Sequence, residues 1–155
     1  MNTLRRTVLK GAGSAGVVSV AAMAGLLKPS LALADYNKAA FESKTVAGAL
    51  AGLGAADATP SSEITVKAPD IAENGAVVPV EITSNLPGTD SIVIIAEKNG
   101  FPLLADFRLM NGAEGYVSTR IKMGETANVD AIVTAGGKKY KAHKEVKVTI
   151  GGCGG

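Results

Sequence analysis

The 155-residue chain has one cysteine, one histidine and no tryptophan, and only six of its residues are aromatic. A single cysteine cannot form a disulfide within the chain, so Cys153 is either bonded to another molecule or free for chemistry. A metal site needs more ligands than Cys153 and His143 supply. With so few aromatic residues, the hydrophobic core must consist of valine, isoleucine, leucine and alanine.

The N-terminal segment is typical of an export signal. Arg5 and Arg6 precede a short apolar pair and Lys10, which is the twin-arginine arrangement, and an uncharged stretch of small and apolar residues follows. That stretch is shorter than the roughly 20 apolar residues of a membrane-spanning helix. Residues 32–34 (Ala-Leu-Ala) are typical of a cleavage site. We therefore expect residues 1–34 to be a cleaved twin-arginine signal peptide and the mature protein to be periplasmic; an uncleaved anchor is the alternative.

Removal of the signal changes the charge balance. It takes away four of the 16 basic residues and none of the 14 acidic ones, which leaves 12 basic against 14 acidic residues. A mildly acidic chain of about 120 residues is long enough for one domain with one core. This charge argues against a nucleic-acid partner. We also expect no membrane association after the signal is cleaved.

Residues 35–62 predict an N-terminal helix followed by a linker. From Tyr36 to Leu53 the chain is rich in alanine, and its apolar residues are spaced loosely in a helical pattern. Gly54 and the segment 59–62 (Thr-Pro-Ser-Ser) end that pattern.

From residue 63 to residue 150 the period of the apolar residues becomes two, as in β-strands. Pro79 marks a sheet edge or a bulge, because proline cannot donate a ladder hydrogen bond. The expected strands are Glu63–Lys67, Ala76–Thr83, Ser91–Glu97, Pro102–Leu109, Tyr116–Met123, Ala127–Thr134 and Lys139–Ile150. Seven strands spaced about ten residues apart predict a mainly β fold, an immunoglobulin-like antiparallel β-sandwich without a disulfide or core tryptophan.

The last predicted strand has two alternating rows of side chains. Val146, Val148 and Ile150 continue one row and should anchor the strand in the core, whereas the other row contains His143 and several lysines. The basic run 138–144 is typical of an edge strand, where lysines discourage pairing with other chains. Electrostatic attraction of acidic partners or anionic substrates is the functional alternative.

The chain ends in Gly151, Gly152, Cys153, Gly154 and Gly155. Glycine has no side chain to pack and loses the most freedom on ordering, so we expect a flexible C-terminal arm over residues 151–155. The sulfur would reach roughly 10 Å beyond the folded body. The terminal carboxylate disfavours the thiolate, so nothing close in the sequence activates Cys153.

No combination of residues predicts catalysis. His143 lies ten residues before Cys153, on a strand that directs it away from the arm, so a Cys–His nucleophile pair is not expected. No glycine-rich loop precedes a helix as in phosphate sites, and Asp106 and Glu114 are expected to be solvated. We expect a protein that is not an enzyme and holds no cofactor or metal ion.

The C-terminal sequence resembles that of the SoxY family, the sulfur-carrier subunits of the bacterial thiosulfate-oxidising (Sox) system. Residues 146–155 (Val-Lys-Val-Thr-Ile-Gly-Gly-Cys-Gly-Gly) follow a twin-arginine signal and a sandwich-like domain, as in that family. The resemblance covers the whole chain, and the terminal pentapeptide is its most specific part. It implies that Cys153 is the site of substrate attachment and that the four surrounding glycines form the carrier arm.

The resemblance also implies partners. These are a SoxZ subunit that forms a heterodimer with this chain, and the enzymes SoxAX, SoxB and SoxCD, which meet it transiently. SoxAX, a haem enzyme, would join thiosulfate oxidatively to Cys153. SoxB would hydrolyse sulfate from the adduct, and SoxCD would oxidise the remaining sulfane sulfur before SoxB acts again. The substrate is attached covalently, so no cofactor is implied in this subunit.

Two other functions are compatible with a lone exported thiol. One is a structural or interaction protein in which Cys153 forms an intermolecular disulfide. The other is a redox or metal-delivery module whose partner supplies a second ligand. For the partner surface, the alanine-rich helix and the apolar strand Ile92–Ala96 are the candidates that the sequence offers.

Overall fold

Two β-sheets and two short helices make up residues 37–149, which the computed structural model describes. The predicted signal (1–34), Ile150 and the predicted arm (151–155, with Cys153) lie outside these residues. The helices are α1 (Lys38–Phe41) and α2 (Val46–Gly52). The strands are β1 (Thr59–Pro60), β2 (Ile64–Lys67), β3 (Ile71–Ala72), β4 (Val78–Ser84), β5 (Thr89–Ala96), β6 (Leu103–Arg108), β7 (Tyr116–Ile121), β8 (Ala127–Ala135) and β9 (Lys138–Val148).

The larger sheet has the strand order β1-β9-β8-β5-β6, with β3 also paired to β9, and the smaller sheet has the order β2-β4-β7. Every pair of the longer strands is antiparallel, while the two-residue strands β1 and β3 run parallel to β9. The mainly β, immunoglobulin-like sandwich predicted from the sequence is thus confirmed. The seven predicted strands correspond to β2 and β4–β9, and each bound lies within two residues of its prediction.

The main core lies between the two sheets and is aliphatic. Along β4, Val78, Val80 and Ile82 are buried and alternate with more exposed residues, because successive side chains of a strand point to opposite faces. These three side chains pack in the same cluster as Ile92 and Ile94 of β5. Burial of each such side chain contributes about 1.5–3 kcal/mol to folding. This cluster lets the domain fold without tryptophan in its core.

The strand β5 is buried on both faces, which explains its uninterrupted apolar run. Ile92 and Ile94 face the main core, whereas Val93 and Ile95 face a second cluster on the opposite side of the sheet. The second cluster is completed by side chains of the helical segment and of neighbouring strands: Ala40, Ala49, Ala55, Ala58, Leu103 and Ile132. The expectation that the strand Ile92–Ala96 contributes to a partner surface is therefore wrong, since both of its faces are covered. The helical segment packs on that strand with one side only, and a partner role for its exposed side stays a prediction.

The single helix predicted over residues 36–53 is two helices. α1 ends before Glu42, and Thr45 begins α2 as its N-cap, accepting a hydrogen bond from the Gly48 amide at 3.1 Å. The Ser43 hydroxyl donates to the Thr45 carbonyl at 3.0 Å, so local side-chain bonds replace helical ones at the break. The break lets α1 pack on α2, where Gly52 lies so close to Ala40 that a Cβ at residue 52 would be 2.9 Å from the Ala40 Cα.

We predict that Gly52→Ala destabilises the domain. Alanine is favoured over glycine in a helix by about 0.5–1 kcal/mol, but here its methyl group would collide with the backbone of Ala40. The expected net loss in the free energy of unfolding is about 1–2 kcal/mol, measured by urea denaturation. Gly100→Ala is the control, because a Cβ at residue 100 meets nothing within 4 Å. Equal stability changes in both variants would contradict the close packing of α1 on α2.

Candidate functional site

The strand that leads to the cysteine is β9, and its side chains alternate as the sequence predicts. Val146 is buried and Val148 is half-buried, whereas His143 and Lys147 on the other row are exposed. On one side β9 pairs with β8 over its length, from Ala135↔Lys138 to Ala127↔Val146. Ile150, the third predicted anchor, lies outside the described residues. The strand is therefore fixed to the core close to its C-terminal end.

The other side of β9 is partly covered, which corrects the simple edge-strand interpretation of its lysines. β1 pairs with it at Tyr140 and Lys141, and β3 pairs with it at Lys147 and Val148. On that side, within the described part of the chain, residues 138 and 139 and the interval 142–146 have no strand partner. Lys144 lies in this interval and forms an ion pair with Asp70 at 3.0 Å. Lysines that discourage pairing with other chains are thus needed only at the residues of β9 that β1 and β3 leave unpaired.

Hydrogen bonds hold the last described residues of the chain on both sides. On the β3 side, the Thr149 amide donates to the Ala72 carbonyl at 3.2 Å, and its hydroxyl donates to the Glu73 carbonyl at 3.4 Å. On the other side, the Val148 amide donates to Thr126 Oγ1 at 2.9 Å. Because the backbone is bonded up to Thr149, the segment that carries Cys153 starts from a defined position.

Three loops surround this position, at the end of the sandwich where β9 finishes. They are residues 73–77 before β4, residues 97–102 between β5 and β6, and residues 122–126 between β7 and β8. We call these loops, together with β3 and Thr149, the exit end. Asn99 links two of the loops, because its Nδ2 donates to the Lys122 carbonyl at 2.6 Å and its Oδ1 accepts from the Gly124 amide at 3.1 Å. The third loop, residues 73–77, is linked to the loop 122–126 because the Met123 amide donates to the Gly75 carbonyl at 2.7 Å.

A separate cavity of about 570 Å³ opens beside α2 on the helical side of the larger sheet. Its walls include Val46, Leu50 and Ile132, and its polar lining includes Asp130 and His143, which are paired residues on β8 and β9. An extended strand rises about 3.3 Å per residue, so His143 lies roughly 20 Å before Thr149 along β9. The cavity reaches the exit end through Glu97, which lines it and belongs to the loop 97–102, whereas His143 lies at the far side from Thr149 along β9.

Asp130 is the titratable group of this cavity that the sequence prediction missed. Burial, followed by repulsion from Glu97, raises the pKa of its carboxyl from 3.8 to about 6. His143 and then Lys141 lower the pKa, by smaller amounts. The sequence carried only a weak signal, since Asp130 lies in the mostly polar row of β8 and Ile132 is the one apolar residue of that row. The pattern does not show that a helix covers this face of the sheet and desolvates the carboxyl.

The two acidic residues predicted to be solvated differ in their surroundings. Glu114 is exposed, as expected. The side chain of Asp106 is only 11% exposed and forms an ion pair with Arg108 at 3.1 Å, so the prediction for Asp106 is wrong. Residues two apart on β6 point to the same face of the sheet, which brings this carboxylate to the guanidinium.

Within residues 37–149, no group of three or more histidine, cysteine, aspartate or glutamate side chains could hold a metal ion. A search of the same residues for membrane spans finds no helix with the length and apolar character to cross a bilayer.

We predict that Asp130→Asn raises the melting temperature at pH 7.5 by roughly 2–5 °C and that the gain shrinks towards pH 4. A carboxyl whose pKa is raised in the folded state binds its proton more tightly there, so wild-type stability falls as the pH rises through the interval from 3.8 to about 6. The amide cannot lose a proton and avoids this loss. Thermal unfolding at several pH values measures the difference. Asp57→Asn, at an exposed residue, is the control; an equal gain in both variants would contradict the assignment to burial.

Comparison with known families and structures gives one strong likeness. The family model described as "Sulfur oxidation protein SoxY" matches residues 50–153. The solved structure of the sulfur carrier protein SoxY from Chlorobium limicola f thiosulfatophilum is 42% identical, with a TM-score of 0.55, over 61% of this chain and 88% of that chain. The matched range extends from α2 to the only cysteine.

Other comparisons add little. Two superoxide reductase (neelaredoxin) structures from Ignicoccus hospitalis, one of them of a single-residue variant, are 19% and 18% identical, with TM-scores of 0.49 and 0.47. Each likeness covers 56% of this chain and about four-fifths of the other chain (79% and 80%), and neither carries information on function at these values. A comparison with curated protein sequences finds no match.

Proposed function

The chain belongs to the SoxY family of sulfur oxidation proteins, and we propose that it is a covalent carrier of sulfur substrates in thiosulfate oxidation. The observation that carries the proposal is the extent of the family match, which ends at residue 153 and so includes the only cysteine. Cys153 is then the attachment site, and Gly151, Gly152, Gly154 and Gly155 form the arm that presents it. The protein is acted on by enzymes and is not itself one.

The proposed loading step forms one S–S bond. The Cys153 thiol and thiosulfate together lose two electrons and one proton and give Cys153–S–S–SO₃⁻, and the haem enzyme SoxAX accepts the electrons. SoxB then adds water across the bond between the sulfane sulfur and the SO₃ group, which releases sulfate and leaves a persulfide on Cys153. SoxCD oxidises that remaining sulfur, and a second hydrolysis by SoxB restores the thiol.

Features of the described residues support a carrier rather than a catalyst. The substrate-bearing sulfur must visit several active sites, which requires reach beyond the body and a firm base. The bonds of Val148 and Thr149 to Thr126, Ala72 and Glu73 supply that base. The glycines supply the reach, because they add no side-chain bulk in a narrow active-site channel.

The remaining parts of the proposal rest on the sequence and on membership of the family. The twin-arginine signal would export the chain to the periplasm already folded, together with its SoxZ partner. SoxAX, SoxB and SoxCD would bind the heterodimer transiently. In that oxidising compartment an exposed thiol also forms disulfides, so a disulfide-linked dimer through Cys153 is the alternative function that the experiment must separate.

We predict that protein isolated with its partner subunit from cells grown on thiosulfate has sulfur adducts on Cys153. Intact-mass analysis under non-reducing conditions should show species heavier than the free thiol by one –S–SO₃⁻ group or by one sulfur atom. Both should disappear on treatment with a thiol reductant, because each is held by an S–S bond.

The control is Cys153→Ser, which should have the mass of the unmodified chain and should abolish thiosulfate oxidation by the reconstituted enzymes. A preparation in which the dominant species is a Cys153 disulfide dimer without sulfur oxyanion adducts would support the interaction protein instead. Bound metal in the purified complex, lost in the serine variant, would support metal delivery.

A further inference from the structure

Apolar side chains are concentrated at the exit end. Of the five large hydrophobic side chains that are strongly exposed within residues 37–149, three belong to it: Ile71 at 58%, Val77 at 50% and Phe101 at 53%. Ile71 is in β3, Val77 ends the loop before β4, and Phe101 lies in the loop between β5 and β6. The other two, Met110 and Tyr116, flank the β6–β7 connection.

The strand pairing puts these two groups at opposite ends of the sandwich. At the exit end, the last residue of β5 pairs with Val129 near the start of β8, and the start of β8 pairs with Val146 near the end of β9. Val78, next to Val77, pairs with Ile121 at the end of β7. The β6–β7 connection lies a strand length away, because antiparallel strands place alternate connections at alternate ends.

Charges do not distinguish the exit end from the remaining surface. Its three loops carry acidic and basic residues side by side: Glu73, Glu97, Lys98, Lys122 and Glu125. A surface of mixed charge does not attract partners of one sign over long distances. The exposed apolar groups are therefore the feature by which a partner would recognise this end.

The position of Thr149 limits where an enzyme that acts on Cys153 can sit. Cys153 is four residues beyond Thr149, and an extended chain spans at most about 3.3–3.6 Å per residue. The Cα atom of Cys153 therefore lies within roughly 13–14 Å of the Thr149 Cα, whichever way the intervening residues run. Any active site that holds the sulfur in a channel must bring the mouth of that channel close to the exit end.

We propose that Ile71, Val77 and Phe101 form the docking surface for the enzymes that process the sulfur on Cys153, and that the rim of each enzyme's channel is apolar at the point of contact. The proposal rests on the carrier function proposed above. The body of the carrier then contributes to binding, while the arm alone enters the channel. One surface can serve successive enzymes because apolar contacts are non-directional, so channel rims of different shape can pack against it.

The test measures release of sulfate by SoxB from chemically loaded carrier. Reaction of the Cys153 thiolate with tetrathionate forms Cys153–S–S–SO₃⁻ and releases thiosulfate, so loading needs no enzyme and no docking. The substrates are the wild-type heterodimer, the triple variant Ile71→Thr/Val77→Thr/Phe101→Gln, and a loaded synthetic peptide of residues 146–155. Mass analysis confirms equal loading, and thermal unfolding confirms folding.

We expect the KM of the triple variant to rise about tenfold towards that of the peptide, with kcat within twofold of wild type, since docking is lost and the chemistry is not. Phe101→Gln alone should give part of the increase without any change in β3. The matched control Met110→Gln/Tyr116→Thr, at the opposite end, should keep the wild-type KM.

An unchanged KM in the triple variant, or an equal rise in the control variant, would overturn the docking surface while leaving the carrier function intact. If SoxB released no sulfate from the loaded wild-type protein, the carrier function would fail and the docking surface with it.

Discussion

The burial of β5 on both faces is the constraint on which the domain depends. A strand with Ile92 and Ile94 on one face and Val93 and Ile95 on the other needs apolar cover on both sides. The smaller sheet supplies one cover, and α1 with α2 supplies the other. The protein is thus a sandwich with a third, helical layer, and its alanine-rich N-terminal segment contributes one side to the core.

The same arrangement gives the carrier segment its support. β8 lies between β5 and β9, so β9 is joined to the strand that is buried on both faces through one continuous antiparallel ladder. β1 and β3 then pair with the outer side of β9 at residues 140–141 and 147–148, so the strand is also held from that side close to its C-terminal end. In the carrier function proposed above, a rigid strand followed by glycines would separate two physical requirements, because the body would hold its shape while the glycines supplied the reach.

The agreement between sequence and structure varies with the range of the interactions involved. The seven longer strands follow from alternation and turn residues, which are local properties, and their bounds are correct within two residues. The break between α1 and α2 depends on bonds within Ser43–Thr45 and on contact of Gly52 with Ala40. A loosely helical apolar pattern contains no information on that contact, so one continuous helix was predicted.

Charged side chains show the same limit. The pairing of Asp106 with Arg108 and the desolvation of Asp130 depend on what covers each strand face, which alternation alone does not reveal. The two-residue strands β1 and β3 were missed for a similar reason, since their partner β9 is more than 70 residues away in sequence.

The amino-acid sequence by itself determined the basis of the proposed chemistry, because its one cysteine stands among four glycines whose side chains add no ligand or base. It also determined the strands, since side-chain alternation is imposed by the backbone. Only the tertiary structure decided which surfaces are free. Residues from loops about 25 residues apart meet at the exit end through the hydrogen bonds of Asn99. The helical layer covers the face of β5 that carries Val93 and Ile95, which the sequence offered as a candidate partner surface. Burial depends on distant partners, and a local pattern does not specify them.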